Sequence, residues 1–335
     1  MNLPQRISLL TRLGAYMLSN GTAWQEAKLR AEQQNGWFTK AFIDYAVAHM
    51  ARHWLVEPVL TQWAATEQIP AIQDSPQTVG IVMAGNIPLV GFHDWLCVFI
   101  SGHRSLIKLS SKDAVLLPHL FEQLLQWEPT LAPYLQTAER LNGADAYIAT
   151  GSNNSSRYFS YYFNKYPHLI RQNRTAAALL SGKETPAELE ALADDVHLYF
   201  GMGCRNVTKL YVPVGYDFVP LLEAFKKYAH LGEHHKYKNN YDYQLALHIL
   251  NKTYYMTNGS LLLVEQSLLF APLGQLHYEY YSQAAGTLAN VAALPDLQCL
   301  VGTGALPFGS SQHPAIGDYA DGVNTLTFLN KKMLN

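Results

Sequence analysis

The sequence holds three cysteines, and only Cys204 sits in a setting that suits a nucleophile. It lies between Gly203 and Arg205 in residues 201–206, Gly-Met-Gly-Cys-Arg-Asn. Glycines allow close approach of backbone to a ligand, and a neighbouring guanidinium favours the thiolate that attacks carbonyl carbon. The competing reading of Cys204 is a small buried hydrophobe, the common fate of a cysteine outside a disulfide. Cys97 in FHDWLCVFI and Cys299 in DLQCLV have apolar neighbours and read as core. The three are far apart and odd in number, with no C-x-x-C pair, which disfavours a disulfide framework and a zinc site. A reducing, cytoplasmic setting is the expectation.

Other candidates stand at the ends of short apolar runs. Asn86 follows TVGIVMAG and precedes Ile87-Pro88, where a side-chain amide can donate to a developing oxyanion; an Asn in a plain turn reads equally well. Lys108 ends a second run, and Leu109-Ser110-Ser111-Lys112 follow with no acidic residue before Asp113. In dinucleotide sites a cation at this place favours a ribose 2′-phosphate and an acid favours the free hydroxyl. A solvated strand end with a helix cap is the alternative. Gly151-Ser152-Asn153-Asn154 opens a helix whose N–H groups can face a phosphate or simply be capped. His230, His234, His235 and His248 show no H-E-x-x-H spacing and no cysteine ligand nearby, so no metal is expected. G-x-G-x-x-G, P-loop and G-x-S-x-G patterns are all absent.

These residues need elements to hold them. Up to about residue 70, apolar residues recur at helical spacing, as in ISLLTRLGAYML and FTKAFIDYAVAHMARHWL. From Thr78 the texture changes to three strand-to-helix units: TVGIVMAG before PLVGFHDWLCVFIS, SLIKLSS before DAVLLPHLFEQLLQ, and ADAYIATGS before NNSSRYFSYYFNKY. Such alternation predicts a parallel, doubly wound sheet. It restarts near Thr175 with the strand AAALL and a capping box at Thr185-Pro186-Ala187-Glu188. The helix AELEALADDVHLYF runs into the cysteine turn, and NVTKLYVP follows as a strand. Helices DFVPLLEAFKKYA and YDYQLALHIL and strands SLLLVE, QLHYEYY and LQCLVGT complete the second half, with HLGEHHKYKNNYDY as a surface loop. The predicted division is residues 1–174 for helices and dinucleotide domain, 175–317 for the cysteine-bearing domain and 318–335 for a return segment.

With 49% hydrophobic and 15% charged residues, the composition is that of a globular chain. A net charge of −2 with scattered Lys and Arg argues against nucleic acid as a partner. No run of about 18 apolar residues occurs, and MNLPQRISLLTRLGAYMLSNG lacks the make-up of a secretory leader, so neither membrane span nor leader is expected.

In order, Asn86-Ile87-Pro88, residues 108–111, Thr150-Gly151-Ser152, residues 201–206 and Pro307-Phe308-Gly309 resemble the aldehyde dehydrogenase superfamily. The likeness is greatest to its LuxC-like acyl-CoA reductase branch. It implies an aldehyde dehydrogenase-like α/β fold, two Rossmann-like doubly wound domains behind an N-terminal helical segment. It implies Cys204 as nucleophile and Asn86 as oxyanion donor. It further implies Lys108, Ser110 and Ser111 at the adenosine ribose and Gly151 with Ser152 beneath the nicotinamide half. Ser111 stands where NAD-preferring members carry Glu, which favours NADPH over NADH. Residues 171–175 lack the water-activating Glu of hydrolytic members, and Leu268 replaces the Glu of the ribose contact, for which Glu265 or Glu279 are the substitutes at hand. The implied activity is NADP(H)-dependent reduction of an acyl-CoA to an aldehyde. Alternatives within the superfamily are acyl-phosphate reduction and semialdehyde oxidation; outside it stand a catalytically inactive binding protein and a cysteine acyltransferase. The resemblance also implies an acyl-CoA or aldehyde substrate and a possible homodimer.

Overall fold

Capping and apolar spacing set the first helices. In the computed structural model, which describes residues 1–151 and 153–332, α1 (Leu3–Met17) starts at a capping box between Asn2 and Gln5 and buries Ile7, Leu10, Leu13 and Met17. Three more helices follow: α2 (Thr22–Gln34), α3 (Lys40–His49), capped by the Thr39 side chain, and α4 (Glu57–Thr66).

The chain then enters a parallel five-stranded sheet. Its elements are β1 (Thr78–Val82), α5 (Phe92–Ile100), β2 (Arg104–Lys108), α6 (Leu116–Trp127), β3 (Leu135–Thr137), β4 (Ala146–Thr150), α7 (Asn153–Phe163) and β5 (His168–Arg171). The strand order is β3-β2-β1-β4-β5, the doubly wound order, whose direction of winding reverses between β1 and β4. Val82 pairs with Lys108 on one side and Ala149 on the other, so β2, β1 and β4 end side by side.

A six-stranded sheet forms the second unit. It is built from β6 (Thr175–Leu179), α8 (Pro186–His197), β7 (Val207–Pro213), α9 (Val219–Ala224), α10 (His235–Asn251), β8 (Met256–Thr257), β9 (Leu262–Glu265), β10 (Gln275–Tyr281), α11 (Ala284–Ala292) and β11 (Leu297–Gly302). The order is β11-β6-β7-β10-β9-β8, parallel except for the β8–β9 pair. The central strands are buried, with Ala176, Ala177, Ala178, Leu210 and Val212 fully enclosed.

Contacts divide the chain into Met1–Asn173 with Ala315–Asn335, and Arg174–Pro314. Within the first of these units the C-terminal segment, ending in α12 (Thr325–Lys332), is fastened by Arg171 at the end of β5. Its buried guanidinium donates to Asp94 Oδ1 at 2.8 Å, to Thr325 Oγ1 at 2.7 Å and to the Ala320 carbonyl.

The structure departs from the sequence reading in several places. The helix after β1 starts at Phe92 and not at Pro88, because Leu89 is held at φ +55°, which no right-handed helix admits. The helix after β2 starts at Leu116, since Asp113 is drawn into a turn. Three strands went unforeseen, β3, β5 and the two-residue β8, all too short for a period-two signal. Residues 230–243 are largely helical. His234 caps α10, and Tyr237 and Tyr241, one turn apart, supply a buried face that the polar composition obscured.

The buried Arg171–Asp94 pair predicts that Arg171→Leu destabilises the chain by about 3–5 kcal/mol, because it strands a buried carboxylate. Lys238→Ala, which breaks an exposed pair with Asp242, is expected to cost no more than about 0.5 kcal/mol. Urea unfolding of the two variants measures both.

Candidate active site

The carboxyl edge of the first sheet gathers most of the candidates. Asn86 lies in the connection from β1 to α5, Lys108 ends β2, Ser110 and Ser111 lie in the turn after it, and Gly151 directly follows β4. Ligands of doubly wound sheets bind at this edge, where the winding reverses. Ser152 lies outside the described residues. The turn after β2 is closed by the Asp113 N–H donating to the Ser110 carbonyl at 3.0 Å and by the Lys112 N–H donating to Ser110 Oγ at 3.2 Å. Lys108, Ser111 and Lys112 are exposed. Asp113, the first acid after β2, is buried instead, and its Oδ2 accepts the Leu89 N–H at 2.7 Å. Burial pushes its pKa up to about 6, opposed by that hydrogen bond.

Cys204 belongs to the second unit, three residues before β7 and so at the amino end of that strand. The preceding chain does not leave α8 in an ordinary way. Tyr199, Phe200 and Gly201 all adopt left-handed conformations, with φ of 54°, 58° and 77°. For the two aromatic residues this costs about 1–2 kcal/mol each. Both are buried, and the Phe200 ring packs 4.4 Å from His234 and 5.8 Å from Tyr237 between centroids.

Asn206 holds this turn in place. Fully buried, it donates through Nδ2 to the carbonyls of Asp195 at 3.1 Å and Leu198 at 2.9 Å. Its Oδ1 accepts the Gly203 N–H at 2.7 Å. Its backbone carbonyl accepts the Ala176 N–H of β6 at 3.0 Å. Next to it, the Asp195 carboxylate accepts the N–H groups of Gly309 at 2.6 Å and Ser311 at 2.8 Å. The Pro307-Phe308-Gly309 segment is thereby fixed to the end of α8. Burial raises the Asp195 pKa, and hydrogen bonds from Ser311 and Gly309 oppose the rise.

Of the three thiols, Cys97 is buried, and Cys204 and Cys299 are half-buried. Burial raises Cys97 well above the usual thiol range, with Asp94 adding to the rise. Burial also pushes Cys299 up to about 12, against the Arg205 guanidinium that hydrogen-bonds it. Glu279 is engaged as well: its carboxylate accepts from the buried Lys209 at 2.8 Å. Glu265 is exposed at the end of β9. Among the described residues no group of three or more His, Cys, Asp or Glu is arranged to hold a metal ion, and no helix is long and apolar enough to cross a membrane.

Sequence reasoning passed over Asn206, Asp195, Asp113 and Lys209. A lysine in the middle of an apolar strand was the one legible signal among them.

No family model and no curated protein matches the sequence. Solved structures match by shape. An NADP-dependent enzyme of E. coli superposes with a TM-score of 0.66 at 12% identity, over 90% of this chain and 73% of its own. An NAD-dependent aldehyde dehydrogenase of Sinorhizobium meliloti gives 0.67 at 11% identity, over 90% and 70%. The fold is that of the aldehyde dehydrogenases. ALDH21 of Physcomitrella patens, solved with its reaction product succinate, also gives 0.67, at 12% identity over 90% of this chain and 74% of its own.

Within this aldehyde dehydrogenase fold two outcomes are expected. Iodoacetamide at neutral pH labels Cys204 ahead of Cys97 and Cys299, as peptide mass mapping will read. Asn206→Ala, which leaves buried carbonyls and an N–H unpaired, lowers stability by roughly 1–3 kcal/mol in urea unfolding.

Proposed function

We propose that this chain is a nicotinamide-dependent oxidoreductase that reduces an acyl-CoA thioester to an aldehyde through a covalent intermediate on Cys204. The observation that carries the reading is the Cys204 turn. Its strained backbone is fixed on several sides by Asn206 and the packing of Phe200, and strain held in this way collects at reactive sites. The fold adds support, since the structures it resembles include enzymes named as NADP- or NAD-dependent.

The first unit fits a dinucleotide by its doubly wound order and by the candidates at its carboxyl edge. The lysines at the end of β2 are exposed, and the nearby acid, Asp113, is turned inward to the Leu89 N–H. That leaves cations to meet a ribose 2′-phosphate and favours NADP(H).

In the proposed reaction the Cys204 thiolate adds to the thioester carbonyl, and the Asn86 amide with the Cys204 backbone N–H stabilises the oxyanion. The oxyanion collapses, the bond to the CoA sulfur breaks, and CoA leaves with a proton as the thiol. Lys108, Ser110, Ser111 and Gly151 would hold a reduced nicotinamide cofactor, which would supply the hydride that reduces the acyl carbon. The resulting thiohemiacetal expels the Cys204 thiolate and releases aldehyde. Hydrolysis would need a base near the acyl group. The segment that carries such a base in hydrolytic enzymes offers here Arg171, committed to Asp94, and no carboxylate.

NADPH consumption against a series of acyl-CoAs tests this reading. The wild type oxidises NADPH with a dependence on chain length, Cys204→Ala abolishes it, and Asn86→Ala slows it on the order of a hundredfold. Turnover on acyl phosphates but on no acyl-CoA would overturn the thioester assignment. Turnover that survives Cys204→Ala would overturn the nucleophile.

A further inference from the structure

One side chain joins two of the candidate segments at the carboxyl edge of the first sheet. Asp113 lies in the turn after β2 and is 8% exposed. Through Oδ2 it accepts the Leu89 N–H at 2.7 Å. Leu89 stands three residues after Asn86 at φ +55°, a region that leucine occupies only when its surroundings compel it. The same turn also grips the near end of the Asn86 segment. A Cβ on Gly85 would stand 2.6 Å from Ser110 Oγ and 3.1 Å from the Asp113 nitrogen, so only glycine fits there. Asn86, Ile87 and Pro88 thus span two fixed points, a steric one at Gly85 and a hydrogen-bonded one at Leu89.

Asp113 is a poor choice for stability alone. Its second oxygen, Oδ1, is buried and has no hydrogen-bond partner among the described residues. Its raised pKa reflects the same cost of burial. An apolar side chain of similar size would fill the place more cheaply. What an apolar residue lacks is an acceptor for the Leu89 N–H.

The geometry points to Asp113 as a positioning residue for Asn86, one that clamps the candidate oxyanion donor onto the turn that carries the candidate cofactor contacts. This rests on the acyl-CoA reductase reading above. Asp113 touches no reacting atom in that scheme and acts by fixing where the Asn86 segment ends. Its loss therefore slows the chemistry without removing the nucleophile.

The test compares Asp113→Asn, Asp113→Ala and the pair Asn86→Ala/Asp113→Ala in NADPH-dependent acyl-CoA reduction. The rate of Cys204 alkylation serves as a control for folding. Asn keeps an oxygen acceptor for the Leu89 N–H, so Asp113→Asn retains most of the wild-type kcat. Asp113→Ala loses kcat on the order of tenfold to a hundredfold while alkylation of Cys204 is unchanged. In the Asn86→Ala background the same change has little further effect, because the group being positioned is gone. Should Asp113→Ala fail to fold, Asp113→Leu fills the space without an acceptor and is expected to show the same loss. Wild-type kcat in Asp113→Ala, a loss in Asp113→Asn as large as in Asp113→Ala, or fully additive losses in the double variant would each overturn the assignment. A wild type inactive on every acyl-CoA would instead overturn the reductase reading beneath it.

Discussion

Asn206 fixes the point where a helix end, a left-handed turn and a central strand meet. Its amide satisfies carbonyls at the end of α8, its side-chain oxygen takes the Gly203 N–H, and its own carbonyl pairs with β6. Without such a partner, the left-handed run from Tyr199 to Gly201 would relax toward ordinary helix, and Cys204 would be carried with it. The strain there is of the order of a few kcal/mol. The buried hydrogen bonds of one asparagine, each worth about 0.5–1.5 kcal/mol net, offset it together with the packing of Phe200. Asp195 extends the same hold to residues 307–311.

The two units present their candidates from different ends of their sheets. In the first unit, Asn86, Lys108, Ser110, Ser111 and Gly151 collect at the carboxyl edge, where adjacent strands end in register. Loops and helix starts at that edge offer N–H groups to a cofactor. In the second unit, Cys204 stands at the amino end of β7. There the preceding helix delivers it, and the helix end must be reshaped to do so. This explains why the second unit holds its strained aromatic residues before β7.

The sequence made the alternation of strands and helices legible, because apolar β-branched runs and capping signals such as Thr185 to Glu188 are local. It also made legible which types of residue could carry chemistry. What it hid was geometry set by distant partners. Asp113 reads as the first residue of a helix until the Leu89 N–H is seen to claim it. Pro88 reads as a helix start until Leu89 turns left-handed. Residues 230–243 read as loop because two buried tyrosines were masked by polar neighbours. Arg205 reads as a neighbour of Cys204 alone, and the sequence gives no sign that its side chain also hydrogen-bonds Cys299.

The central claim is that Cys204 carries the acyl group, and intact-protein mass spectrometry after mixing with a medium-chain acyl-CoA in the absence of nicotinamide tests it most directly. The account predicts a gain of one acyl group, mapped to Cys204, lost on addition of NADPH as aldehyde appears, and absent from Cys204→Ala. An acyl group that never forms at any chain length, or one that forms equally in Cys204→Ala, would contradict it.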